Sequence, residues 1–462
     1  MRESQNSVPP TDVSDQFPFS TRLGRVMDLI YSLLERTIGA RSPWSALGPE
    51  RSVLVSWIIT RAAALTILWY FEWTVINDLN YYFTNLHTAS VLGPSYAVPE
   101  YPLPVAAVLA VPYVLSFGNQ VAYQLIFITM ILMIDAVFTR TLFTQQQRRI
   151  TPAVTAWLAA APLIGPLMFT RFDLIPGVLV ALSLLWLTTK ATRTGTALAI
   201  GTAIKVWPLL VLPAVAAPRH TRVRVILSSI VAGAILIVAS LAIGGWERFI
   251  SPLRYQSERG LQIEAPISLP LMFAWAFHPG QWTVFFSDSS KSVEVGGPGA
   301  SVLLLMAGLL TLLALIVVAV YSLRAWRLQY VVTTLTITAI SITSVGLIIL
   351  SNKVFSPQYL LWLTPSAVIA LALANTADDG EGRELRSGLQ RCVTLLLLVA
   401  LLTQLIYPRA YDWISQVSPM NPVGVMMLTL RDAGLAYVIY CFGRYAWTAT
   451  AHRSPSGTAD EL

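Results

Sequence analysis

Apolar residues run through this chain in blocks about as long as a bilayer is thick. A hydrocarbon core of roughly 30 Å needs about 20 apolar residues of α-helix. Stretches meeting or nearly meeting that length lie at 53–75, 119–140, 153–170, 173–190, 225–244, 299–323, 330–350, 357–375, 391–407 and 424–447. Two apolar stretches fall short. Residues 103–117 are interrupted by Pro104 and Pro112, which predicts a short helix. Residues 195–217 carry Gly201, Lys205, Pro208 and Pro213, which predicts a pair of half-helices or a re-entrant hairpin. The expected fold is therefore an all-α polytopic membrane protein, a bundle of about ten full transmembrane helices with short re-entrant and juxtamembrane helices. Ahead of the spans, residues 19–38 place Leu23, Val26, Met27, Ile30, Leu33, Leu34 and Ile38 on one helical face. That face suits a helix lying under the cytoplasmic leaflet, or one packed on the protein.

Composition agrees with this pattern. Of 462 residues, 55% are hydrophobic and only 12% are Asp, Glu, Lys or Arg. Soluble proteins carry about 25% charged residues, so a soluble enzyme of this size is excluded. The net charge of +7 comes from scattered basic residues rather than a patch, so nucleic acid is not an expected partner. Short loops rich in Lys and Arg favour the cytoplasm. Arg140, Arg148, Arg149, Lys190, Arg193, Arg219, Arg222, Arg224, Arg324, Arg327, Arg383, Arg386 and Arg391 fall on one side, whereas residues 76–102 hold Asp78 and Glu100 and no Lys or Arg. Both termini are expected to be cytoplasmic, with external loops at 76–118 and 244–298. The expected layout is a disordered tail at 1–18, an interfacial helix at 19–48, a transmembrane module at 49–375, two C-terminal helices within 376–450 and a tail at 451–462. No cleavable signal is visible, since the first long apolar run starts near Val53. Cys392 and Cys441 both sit in apolar segments, and no His, Asp or Glu cluster has metal-ligand spacing, so neither a disulfide framework nor a metal is expected. Walker and Rossmann glycine patterns are absent as well.

In so apolar a chain the charged exceptions carry the chemistry. Asp78 follows directly on a span, where a carboxylate suits a general base acting on a sugar hydroxyl, or a solvated loop acid or helix N-cap. Lys205 lies inside an apolar run, at a cost on the order of 3 kcal/mol on insertion scales, and either faces a cavity that holds a lipid phosphate or snorkels to the interface. Asp173 reads as the N-cap of the next helix with Arg171 as its salt-bridge partner. Arg259, with Gln262 and Glu264, is a candidate anion contact or a loop held by local ion pairs. Lys353 adds an external cation above a helix start. Asp378-Asp379 is an adjacent acidic pair on the cytoplasmic side; His220 and His452 fall on that side too, with His87 and His278 external.

Four segments together resemble the polyprenyl-phosphate-sugar-dependent GT-C glycosyltransferases, specifically family 87 of the actinobacterial α-mannosyltransferase type. They are Asp78-Leu79-Asn80-Tyr81-Tyr82 with Glu100-Tyr101-Pro102-Leu103-Pro104, then Arg171-Phe172-Asp173-Leu174, then residues 201–208 around Lys205, and finally Phe355-Ser356-Pro357-Gln358-Tyr359-Leu360. The resemblance implies a GT-C-like bundle in the plasma membrane with Asp78 as external catalytic base. It implies a polyprenyl-phosphate sugar donor, mannose by preference, a glycolipid or lipoglycan acceptor, inversion at the anomeric carbon, and no cofactor. Lys205, Arg259 and Lys353 would cradle the leaving phosphate, and His278 would orient Asp78 or the acceptor. Glu100, Tyr101, Arg171, Asp173, Gln262, Glu264, Gln358 and Tyr359 complete the expected substrate site. The alternative is a multi-pass transporter or lipid flippase in which Lys205 and Asp173 relay charge, although such proteins usually pair two broken helices and only one break is evident here.

Overall fold

The computed structural model describes residues 17–288, 290–374 and 380–451. Asp378-Asp379 and His452 lie outside the described residues. In chain order the helices are α1 (Thr21–Thr37), α2 (Pro49–Phe71), α3 (Asn77–Leu92), α4 (Pro104–Leu115), α5 (Gln120–Gln145), α6 (Pro152–Ile164), the single turn α7 (Leu167–Thr170), α8 (Leu174–Trp186), α9 (Ala191–Ile204), the turn α10 (Leu212–Val215), α11 (Arg219–Glu258) and α12 (Leu269–Phe277). After the strands β1 (Thr283–Ser287) and β2 (Ser292–Gly296) come α13 (Ala300–Arg327), α14 (Thr334–Ser351), α15 (Leu360–Leu373), α16 (Gly380–Gln404), the turn α17 (Asp412–Ser415) and α18 (Asn421–Ala451).

Among the described residues, seven helices are long and apolar enough to cross a membrane: α2, α5, α11, α13, α14, α16 and α18. The other three apolar runs of the sequence form shorter helices. Pro162 and Gly165 end the run at 153–170, leaving α6 with 13 residues and α7 with 4. The run at 173–190 gives the 13-residue α8, and that at 357–375 opens with a 3-10 turn before the 14-residue α15. At 1.5 Å per residue each spans about 20 Å, less than a bilayer core. These short helices are also buried on nearly all sides, while α11 and α13 leave most of their apolar side chains uncovered. Long helices thus present apolar surface outward, and the short ones fill the middle.

Both predicted interruptions are present. Residues 104–115 form the short α4. The 195–217 stretch divides into α9, a 3-10 turn Trp207–Leu210 and α10. Pro208 has no N–H to offer the Ile204 carbonyl, so the helix stops there and Lys205 takes an extended conformation. The expected loops are largely helical. α3 fills much of the first, and α11 continues past residue 244 to Glu258, bent at Gly245, whose φ of +69° a side chain would resist. The antiparallel β1–β2 hairpin, pairing Thr283 with Gly296 through Ser287 with Ser292, is the departure from an all-α chain among the described residues.

Two charged clasps hold the bundle. Arg61 in α2 makes a bidentate pair with Asp135 in α5, at 2.8 and 2.7 Å. Trp57 Nε1 also donates to that carboxylate at 2.7 Å, and Arg61 reaches the Leu158 carbonyl at 3.1 Å. Every charge in this clasp is met, as burial requires. Arg391 of α16 likewise grips Asp28 of α1 at 2.9 and 2.8 Å. Met27 and Tyr31 of α1 are buried, while Val26, Leu29 and Leu33 remain exposed along its other edge.

Candidate functional site

Asp78 does not sit in a loop. α2 ends at Phe71, a 3-10 turn Trp73–Ile76 reverses the chain, and Asp78 falls in the first turn of α3. A carboxylate is favoured at that end by the aligned peptide dipoles. Its Oδ2 lies 2.5 Å from a terminal nitrogen of Arg171, and 23% of its side chain is open. Arg171 occupies an extended residue between α7 and α8, with the phenols of Tyr82, Tyr407 and Tyr101 in electrostatic range of its guanidinium. Burial pushes the Asp78 carboxyl above the ordinary carboxylate range, Arg171 pulls it back, and Asp173 adds to the rise.

Proximity in the sequence pairs Arg171 with Asp173 and predicts Asp173 as a helix cap. The structure corrects both. Asp173 stands at the start of α8 without capping it, and its Oδ1 accepts from Lys205 Nζ at 2.6 Å and from Trp362 Nε1 at 2.7 Å. Arg171 is extended whereas Asp173, two residues on, already takes helical angles at the start of α8, so the two side chains diverge and each finds a partner on another element. Lys205 does not snorkel. Its ammonium is enclosed by four rings, Tyr101, Phe172, Tyr359 and Trp362, at 5.2 to 5.8 Å. Trp362 is itself sandwiched by Tyr359 at 3.9 Å and Trp207 at 5.3 Å. Such faces stabilise a cation while shutting out water.

Glu100 and Arg259 border this cluster. Burial raises the Glu100 carboxyl, opposed by the nearby Tyr81 hydroxyl and by Arg248 and Arg259. Arg248 holds the loop before Glu100 by donating to the Ala97 and Val98 carbonyls at 2.8 and 3.2 Å. Arg259 donates to the Ser290 carbonyl at 3.0 Å, with its guanidinium 5.4 Å from the Tyr255 ring. Lys205 feels both Arg171 and Arg259. Asp78, Glu100, Tyr101, Arg171, Asp173, Lys205, Arg259 and Tyr359 are thereby gathered into one charged, aromatic-walled site.

The remaining candidates serve elsewhere. Lys353 donates to the Ser257 and Arg259 carbonyls at 3.1 and 2.5 Å, closing the end of α11 and fixing where Arg259 starts. Gln262 takes the Phe355 N–H on its Oε1 at 2.9 Å, tying residues 259–262 to 353–355. Gln358 is buried in the 3-10 turn before α15. Glu264 points to the C-terminal helix, 2.9 Å from Arg431, whose guanidinium also bonds Asp432 at 2.9 Å and covers Phe355 at 3.9 Å. His278 is exposed at the end of α12 near Trp282, and among the described residues no hydrogen bond joins it to Asp78.

Residues 94–351, more than half of the chain, match Glycosyltransferase family 87. The chain belongs to that family. No curated protein and no solved structure matches it. Membership makes this chain a membrane glycosyltransferase, which removes the transporter reading. The matched region includes Glu100, Tyr101, Arg171, Asp173, Lys205, Arg259, Gln262, Glu264 and His278; Asp78 lies before it, and Lys353, Gln358 and Tyr359 after it.

Sequence reasoning passed over several residues of this glycosyltransferase. Tyr82 and Phe172 enter it only as parts of motifs and Trp362 not at all, because their rings give no signal distinct from core packing. Arg431-Asp432 and Tyr407-Pro408-Arg409 did carry one. Charges within or at the end of an apolar run are functional candidates by default, and both groups interrupt C-terminal runs.

Proposed function

We propose that the protein transfers a sugar, mannose by preference, from a polyprenyl-phosphate donor to a glycolipid or lipoglycan acceptor at the external face of the plasma membrane. The observation that carries this reading is a part-open carboxylate, Asp78, set against buried cations in an aromatic-walled cluster of a family 87 chain. The placement outside follows from the basic residues, which crowd the loops on the opposite side.

The chemistry needs few groups. Asp78 accepts the proton of the acceptor hydroxyl, and the oxygen attacks the anomeric carbon from the face opposite the phosphate. The bond from that carbon to the phosphate oxygen breaks, its electron pair stays with the polyprenyl phosphate, and configuration inverts. A phosphate leaves as an anion, so fixed cations replace a general acid. Lys205 and Arg259 are the cations for that task, with Lys353 holding Arg259 from behind. Burial of Asp78 strengthens it as a base, and Arg171 keeps it ionised and aimed.

Transfer from radiolabelled polyprenyl-phosphate mannose in membranes tests the reading. Wild-type protein is expected to label a glycolipid fraction, and Asp78→Asn to lose about 10²- to 10⁴-fold in rate while retaining donor binding. Full activity of Asp78→Asn would remove the base assignment. Absence of transfer by wild type from any polyprenyl-phosphate sugar would remove the donor class.

A further inference from the structure

The segment joining the last two long helices enters the site, although it lies outside the matched region. α16 runs into a π-turn, Leu405–Arg409, before α17. Three contacts brace this bend. Arg409 Nε pairs with the buried Glu72 at 3.1 Å where α2 ends, with its guanidinium 5.0 Å from the Phe71 ring. Tyr407 packs on the apolar cluster of Leu68, Val75, Ile76 and Leu167, two residues from Asp78 in the chain. Tyr411 meets Tyr407 edge-on at 5.2 Å and lies in electrostatic range of Glu264 and Arg431. A bend that merely connected two helices would need none of these anchors, and together they hold Tyr407 beside the segments that carry Asp78 and Arg171, with its phenol in electrostatic range of both.

We propose that Tyr407 is a positioning residue of the transfer site, its phenol oxygen accepting from Arg171 so that the guanidinium is divided between Tyr407 and Asp78. This deepens the sugar-transfer reading and rests on it. Arginine has donors only, so the phenol oxygen is the acceptor. The charged groups facing Tyr407 are Asp78, Arg171 and Glu264, and those facing Asp78 are Arg171 and Asp173. Without the phenol oxygen Arg171, still shared with the Tyr82 phenol, turns further toward Asp78, which becomes a weaker base that ionises at lower pH.

The test uses the full-length purified enzyme, with rates per mole of monodisperse protein followed against donor concentration and pH. Tyr407→Phe is expected to lower kcat about tenfold, leave the donor KM unchanged and move the acid limb of kcat to lower pH. Arg409→Gln, altering a partly exposed anchor, is expected to move the limb the same way by less. An unmoved limb in both variants, read on the monodisperse fraction, overturns the proposal. A readout independent of turnover is cross-linking of Asp78→Cys with Tyr407→Cys by a short bismaleimide, in a chain with Cys392→Ala and Cys441→Ala. Failure to cross-link overturns the proposal. Absence of transfer by wild type removes the sugar-transfer reading instead, and the cross-link still decides where Tyr407 sits.

Discussion

Glu264 offers a sharp test of how the segment between α11 and α12 is held. Its carboxylate is buried against Arg431 of α18 at 2.9 Å, with Asp432 close by. Burial dominates, and with the repulsion of Asp432 it outweighs the attraction of Arg431, so the carboxyl is pushed up to about 7 from an ordinary 4.5. Each tenfold change in proton affinity is worth about 1.4 kcal/mol. The folded protein holds the proton more tightly than the unfolded chain, so stability is lost as pH rises. The loss begins near pH 4.5, grows through the interval, and is complete above about pH 7. Between pH 5 and 8 the unfolding free energy should fall by about 2 to 3 kcal/mol from this group alone. Unfolding of the detergent-solubilised protein by titration with SDS, repeated across that range, measures the slope. Glu264→Gln cannot ionise and should show a slope shallower than wild type by that amount, whatever its absolute stability. Equal slopes in the two proteins would refute the argument, because they would show that Glu264 is ionised, and fully compensated by Arg431, throughout.

Two further outcomes follow from contacts in the membrane-embedded part. Asp173→Ala leaves the Lys205 ammonium buried without its carboxylate and should cost about 3 to 5 kcal/mol in the same SDS titration; adding Lys205→Met should restore most of that loss, and a double variant no more stable than the single would deny the pairing. Gly177→Ala would drive a methyl group into the Leu361 carbonyl oxygen where α8 crosses α15, so it should destabilise the bundle by about 1 to 3 kcal/mol. An unchanged SDS midpoint would mean that the two helices are not so closely packed.

Much of the fold was legible as a linear pattern. Lipid asks only for length and apolarity, so the seven long helices and the broken stretch around Lys205 could be read from residue order. Two of the three runs that gave shorter helices did so because Pro162 and Gly165 in one, and the Pro357 turn in the other, cut the regular hydrogen-bond ladder. Among the site residues, Asp78, Arg171, Asp173 and Lys205 were conspicuous as charges in an apolar chain, and they did converge. Their pairing was not legible. Sequence proximity suggested Arg171 with Asp173, but the turn between α7 and α8 directs one toward α3 and the other toward α9. Gln262 and Lys353 were legible as polar exceptions too, yet their bonds go to backbone groups, which no residue pattern discloses.

The sequence by itself determined the solvent this chain occupies and the short roster of charges expensive enough to need a purpose. Only tertiary structure decided which charges meet. A buried ion is stable only where an opposite charge, a ring face or a carbonyl reaches it at contact distance. Here those partners come from elements far apart in the chain, Asp78 with Arg171, Asp173 with Lys205 and Trp362, and Glu264 with Arg431. Composition fixes the cost of each buried charge, and packing alone supplies the partner that offsets it.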